Sequence, residues 1–64
     1  MMYEAAGEIY AELDKFEDAA RCFFDAKIWD KAEKYYEKAK QYTKAADACI
    51  KGGRYDEVVY LMQR

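Results

Sequence analysis

The chain has no proline, no histidine and no serine, and Thr43 is its only hydroxyl besides the tyrosines. Chemistry at a site needs a nucleophile, a base or a metal set, and these absences remove the usual members of each. Two cysteines without a histidine do not make an ordinary structural zinc site. Adjacent acids such as Glu17 and Asp18 read as solvated helix faces rather than a catalytic pair. No enzyme activity, metal or cofactor is therefore expected. There is no run of about 18 apolar residues, the length a membrane helix needs. Met1-Met2-Tyr3-Glu4 lacks the basic start and apolar core of a signal peptide, so an intracellular location, cytoplasmic or nuclear, is expected. A basic excess is missing too: the net charge is −2, with both signs interleaved. A nucleic-acid footprint would concentrate positive charge on one face. The lysine-rich middle, Lys27, Lys31, Lys34, Lys38, Lys40 and Lys44, has acids among it and reads as a solvated face, so nucleic acid is not an expected partner.

What is present is a repeat. Aromatic residues stand at Tyr3, Phe16, Trp29, Tyr42 and Tyr55, each 13 residues from the last. Three residues after each comes Ala6, Ala19, Ala32, Ala45 or Val58. Seven after come Tyr10, Phe23, Tyr36, Cys49 and Met62. Ten after come Leu13, Ala26, Ala39 and Gly52. Offsets of 0, 3, 7 and 10 follow one face of an α-helix. The clearest unit is Trp29–Ala39, with Trp29, Ala32, Tyr36 and Ala39 on that face. Asp30, Lys31, Glu33, Lys34, Glu37 and Lys38 take the rest, and Trp29 is expected to be a principal core residue. Tyr3, Tyr10, Tyr36, Tyr42 and Tyr55 could grip a peptide or stack on bases, but at this spacing they read as core with the hydroxyl reaching the surface. Tyr60 lies off the stripe and is expected to be exposed.

In unit one, Tyr3, Ala6, Ile9, Tyr10 and Leu13 form the apolar stripe. Gly7, inside it, costs about 1 kcal/mol relative to alanine, which predicts close approach of another backbone. Asp14 and Glu17 have the spacing of a capping box for the second helix, which turns Ala19, Ala20, Phe23 and Phe24 inward. Lys27-Ile28 and Lys40-Gln41 are weak breaks, placed by the period rather than by turn chemistry. The fourth helix is expected to bury Tyr42, Ala45, Ala46, Cys49 and Ile50. Gly52-Gly53 is the one strong stop signal. Cys22 and Cys49 allow a disulfide, but they read as small apolar residues at repeat positions, reduced and too far apart to bridge.

Ten helical residues in each 13 leave short turns, and short turns join antiparallel neighbours. The fold expected is all-α: short antiparallel helical hairpins stacked as a solenoid of about five helices. Residues 1–64 form one domain, with hairpin one over 1–26, hairpin two over 27–52 and an unpaired fifth helix over 53–64.

Tyr3-x-x-Ala6-Gly7-x-x-Tyr10 followed by Ala19-x-x-x-Phe23-x-x-Ala26 resembles the tetratricopeptide pattern. Trp29-x-x-Ala32-Glu33-x-x-Tyr36 followed by Ala45-x-x-x-Cys49-x-x-Gly52 resembles it again, with Glu33 in the glycine position and Cys49 in the aromatic one. Tyr55-x-x-Val58-Val59-x-x-Met62 is similar to the first helix of a third repeat. The family's repeat is about 34 residues long and closes on a proline. Here the hairpin period is 26 and the proline is missing. Such compact units resemble the arrays of vesicle-fusion adaptors, coat subunits and intraflagellar-transport proteins. Cys49-Ile50-Lys51-Gly52-Gly53-Arg54-Tyr55-Asp56 most resembles the repeats in the tail of helicases of the UvrD type.

The resemblance implies binding rather than catalysis: a protein–protein interaction scaffold, expected to be a segment of a larger repeat protein. The alternative it implies is an accessory repeat region of a helicase-type enzyme, contacting nucleic acid or the helicase core. Carried onto this sequence, the partner face falls on Glu4, Glu8 and Glu12, on Asp30, Lys34, Glu37 and Lys38, and on Asp56, Tyr60, Gln63 and Arg64. A protein or peptide segment bearing Lys or Arg opposite Glu4, Glu8 and Glu12 is the expected partner; these acids also read as the solvated face of an end helix. The positions do not match the lysine and asparagine clamp with which some family members hold chaperone tails. Exposed apolar residues on the end helices predict self-association.

Overall fold

The computed structural model describes residues 2–53, which form four α-helices and no strand. They are α1 (Tyr3–Glu12), α2 (Phe16–Asp25), α3 (Trp29–Lys38) and α4 (Tyr42–Lys51), each of 10 residues. The aromatic that opens each unit of the repeat is the first residue of its helix. The fifth helix expected over 53–64, with Tyr60 and the apolar Val58, Val59, Leu61 and Met62, lies outside the described residues, apart from Gly53.

The period is completed by one three-residue turn used repeatedly. After α1, Leu13 caps the helix, Asp14 takes a left-handed conformation (φ 59°) and Lys15 begins α2 as its N-cap. The Lys15 N–H donates to the Tyr10 carbonyl (2.9 Å) and the Asp14 N–H to the Ala11 carbonyl (3.0 Å). This crossed pair of bonds is a Schellman closure. It recurs as Ile28 to Phe23 with Lys27 to Phe24, and as Gln41 to Tyr36 with Lys40 to Glu37. Lys27 (φ 63°) and Lys40 (φ 62°) hold the same left-handed position, and Gly53 (φ 82°) holds it after α4.

The turn overturns the capping-box reading. Asp14 is committed to ending α1, so it does not cap α2; the N-cap is Lys15, and no side chain bonds there. Of the two glycines at the end of α4, Gly53 supplies the left-handed residue, while Gly52 is the cap (φ −85°). Gly52 is small for a different reason: a Cβ there would lie 2.9 Å from the Cβ of Trp29.

Each helix packs on the next in sequence. Phe24, late in α2, meets Trp29 at the start of α3 edge-on at 5.0 Å, and Phe16 at the start of α2 stacks on Tyr35, late in α3, at 5.9 Å. The two helices are therefore antiparallel. The buried core consists mostly of small residues, Ala19, Ala20, Ala32, Ala45, Ala46 and Ala48, around Phe23, Tyr36 and Cys49. Small side chains let helix axes approach closely.

Several expected core positions differ. Trp29 is half-buried; Phe23 is the large ring that is fully enclosed. Ile9, Leu13 and Ile50 are exposed at 58%, 61% and 44%, and Tyr10 and Tyr42 also reach the surface. Ala48 is buried where Ile50 was expected. Tyr35, outside the expected stripe, stacks between Phe16 and Phe23. Glu33 is buried at 5% exposure. What approaches Gly7 is not another backbone but the Phe23 ring.

Candidate functional site

α1 and α3, the first helices of the two hairpins, carry the expected partner face. Glu4 and Glu8 lie one turn apart on α1, and both are met by Lys31 of α3. The Lys31 ammonium donates to the Glu8 carboxylate at 2.8 Å and stands 3.9 Å from that of Glu4. The bond to Glu8 is the main reason the Lys31 ammonium holds its proton above the usual lysine range. Lys31 also lies over the Phe23 ring, 5.3 Å from its centre, an attractive cation–π placement.

The same relationship occurs one unit further on. Lys44 of α4 donates to Glu17 of α2 at 3.0 Å. The pairs Glu4–Lys31 and Glu17–Lys44 have the same separation in sequence, so one repeat-equivalent bridge ties first helices together and another ties second helices. All four side chains remain well exposed, so the bridges fix register more than they add stability.

The other expected site residues divide. Glu12 is exposed, and no ion pair among the described residues involves it. Lys38 reaches over the Phe16 ring (5.5 Å) and Lys34 over Tyr35 (5.3 Å), so both lie along the aromatic column Phe16–Tyr35–Phe23. Asp30 is exposed and Glu37 half-buried on α3. Tyr60 lies outside the described residues. Lys31 was not among the expected site residues, although its spacing from Glu4, repeated as Glu17 to Lys44, was there to be read.

Beside the acids, Met2, Tyr3, Glu4, Ala5, Glu8 and Ile28 line an open depression between the start of α1 and the turn into α3. Cys22 is half-buried and Cys49 buried. Burial pushes the Cys22 thiol up, with the Asp25 carboxylate adding to the effect. Among the described residues there is no cluster of three potential metal ligands and no helix long and apolar enough to cross a membrane. Comparison with protein-family models, curated proteins and solved structures finds no match for this chain.

Proposed function

We propose that this chain is a non-catalytic protein-interaction scaffold, a compact tetratricopeptide-like solenoid whose first helices receive a partner segment. The supporting observation is the identical unit: one helix and a left-handed three-residue turn, repeated without a change of length. Units that bury their faces only against neighbours form extended stacks, and such stacks serve as recognition surfaces.

The α1–α3 face is a charged surface that already contains its own counter-ion. Lys31 occupies Glu4 and Glu8, so a basic partner residue enters by replacing it. Lys34 and Lys38 extend the face along the aromatic column. A partner with alternating charge fits this surface better than the purely basic segment that the three acids alone suggest. Exposed charges of this kind set register and association rate more than affinity.

The test is a fluorescence titration with a short peptide of alternating Lys and Glu, at low and high salt. Binding should be weakened by the double reversal Glu4→Lys/Glu8→Lys and strengthened by Lys31→Met, which releases both acids. Unchanged affinity in both variants, with helicity intact, removes this face. Tight, steeply salt-dependent binding of a single-stranded oligonucleotide instead would favour a nucleic-acid accessory role.

A further inference from the structure

Among the described residues, four lysines lie over aromatic rings: Lys31 over Phe23, Lys34 over Tyr35, Lys38 over Phe16 and Lys44 over Tyr36. For two of them a carboxylate from the helix two units earlier completes the contact. Glu8 accepts from Lys31 at 2.8 Å, and Glu17 accepts from Lys44 at 3.0 Å. Lys34 and Lys38 have the ring without the carboxylate. No ion pair among the described residues involves either, and both are exposed. Lys31, Lys34 and Lys38 are spaced three and four residues apart, so they share one face of α3. The rings beneath them, Phe23, Tyr35 and Phe16, form one stacked column. A cation is attracted to a ring face, which limits where the two open ammoniums go. The stripe faces inward along the stack: Phe16 and Phe23 belong to α2, and Lys31 reaches back to Glu4 and Glu8 of α1. Units of a repeat stack touch only their neighbours, so one placed before α1 or after α4 would leave this valley between α1, α2 and α3 open.

Resting on the scaffold reading above, we infer that Lys34 and Lys38 receive a partner-protein helix carrying two carboxylates four residues apart. The fold contains the template. Glu4 and Glu8 stand one turn apart on α1, and both meet a lysine of α3 that lies over a ring. At Lys34 and Lys38 the lysines themselves are four residues apart. Their Cβ atoms are then about 5–6 Å from each other, and a Glu-x-x-x-Glu helix presents its own pair at the same spacing. Nucleic acid is the competing polyanion. It needs a continuous basic track, and here the track is interrupted. Glu37 stands between the two lysines in sequence, and Lys31 already faces Glu4 and Glu8. A segment with two acids needs only the two open ammoniums.

The probe is an alanine-rich peptide of about 15 residues, long enough to hold some helix. It is capped at both ends and charged only by two glutamates four residues apart. Titration is followed by nuclear magnetic resonance of the Phe16 and Tyr35 rings, which lie under the two ammoniums. Those signals should move with added peptide, and high salt should weaken binding. At low salt Lys34→Gln/Lys38→Gln should weaken it about fivefold to tenfold, within the range that two exposed ion pairs allow, with helicity kept. Glu4→Gln/Glu8→Gln should strengthen it, because Lys31 is released as a third ammonium on the same face. Equal binding of a peptide with glutamine at both positions overturns the inference. So does equal binding when the two glutamates stand two residues apart, on different faces of the peptide helix. A shift of the Phe16 and Tyr35 signals in Asp56→Asn/Glu57→Gln without peptide would assign the two lysines to the chain's own acids and overturn it. A single-stranded oligonucleotide that binds more tightly than the peptide, and is lost in Lys34→Gln/Lys38→Gln, would do the same. If this peptide fails while the alternating Lys and Glu peptide still binds and still responds to Glu4→Lys/Glu8→Lys, the dicarboxylate site falls and the scaffold reading stands.

Discussion

The ring of Phe23 lies so close to Gly7 that a Cβ on the glycine would stand 2.9 Å from two of its carbons. Phe23 is fully buried, with no solvent side into which to move. Replacing Gly7 with Ala would ordinarily favour a helix by about 1 kcal/mol. Here overpacking should outweigh that gain, at about 1–3 kcal/mol. Gly7→Ala is therefore expected to lower the denaturation midpoint, and a midpoint above the parent's would reject the contact.

Phe23→Ala should be the most damaging ring truncation among the described residues, by about 3–5 kcal/mol for a large-to-small core change. Trp29→Ala should cost less, because Trp29 is half-buried and retains a wet edge. In a core built largely of alanine, a loss of that size removes most of the helical signal at room temperature. Circular dichroism of the two variants ranks them, and the reverse order would contradict the burial pattern.

Lys27 and Lys40 are held at left-handed φ without being glycine. An L-residue in that conformation costs about 1–2 kcal/mol, part of which returns because glycine loosens the unfolded chain. Lys27→Gly and Lys40→Gly should each stabilise by about 0.5–1 kcal/mol. Lys34→Gly, in the middle of α3, should destabilise by about 1 kcal/mol. Thermal unfolding of the three variants decides, and a loss at positions 27 and 40 would mean that the turns are formed differently.

Stability should fall on the alkaline side. Burial raises the Cys22 thiol and the Tyr36 phenol, and the bond to Glu8 raises the Lys31 ammonium. In each case the folded chain holds its proton more tightly than the unfolded chain. The resulting stability is intact below the unfolded pKa and is lost as pH climbs through the folded one. The decline should begin above about 8.5, where free thiols ionise, and steepen above about 10 as tyrosine and lysine follow. Cys22→Ala should remove the first part only. Urea midpoints measured from pH 7 to 11 provide the check, and a rise across that range would reverse the assignment.

The period, the helix count over the described residues and the short turns were all legible in the sequence, because each unit has room for one helix and one short turn. The turn's chemistry was not. Lys27 and Lys40 carry no turn signature, and Asp14, a residue that tolerates the left-handed region, reads as a cap of the next helix; the closure itself is made by backbone N–H and C=O groups that every non-proline residue possesses. The core was partly legible. The column at offset six, Ile9, Cys22, Tyr35 and Ala48, is apolar throughout, and following it would have identified Tyr35 and Ala48. Glu33 was obscured by its charge, although Gly7, Ala20 and Ala46, its counterparts, are all buried. Glu4 and Glu8 read as acids facing a basic residue of a partner; within the fold, Lys31 meets both. That contact crosses from the first unit to the third, beyond the reach of single-helix spacing rules.

A turn closed by the main chain alone makes the path of this polypeptide depend on counting. Inserting one residue into a helix would rotate every later side chain by about 100° about its axis, turning the next helix's alanines away from their neighbours. Inserting a whole unit would leave each downstream helix facing a surface of the same pattern. The chain behaves like text in a fixed reading frame: spelling can drift at many positions without changing the sense, but a slip in length garbles everything that follows.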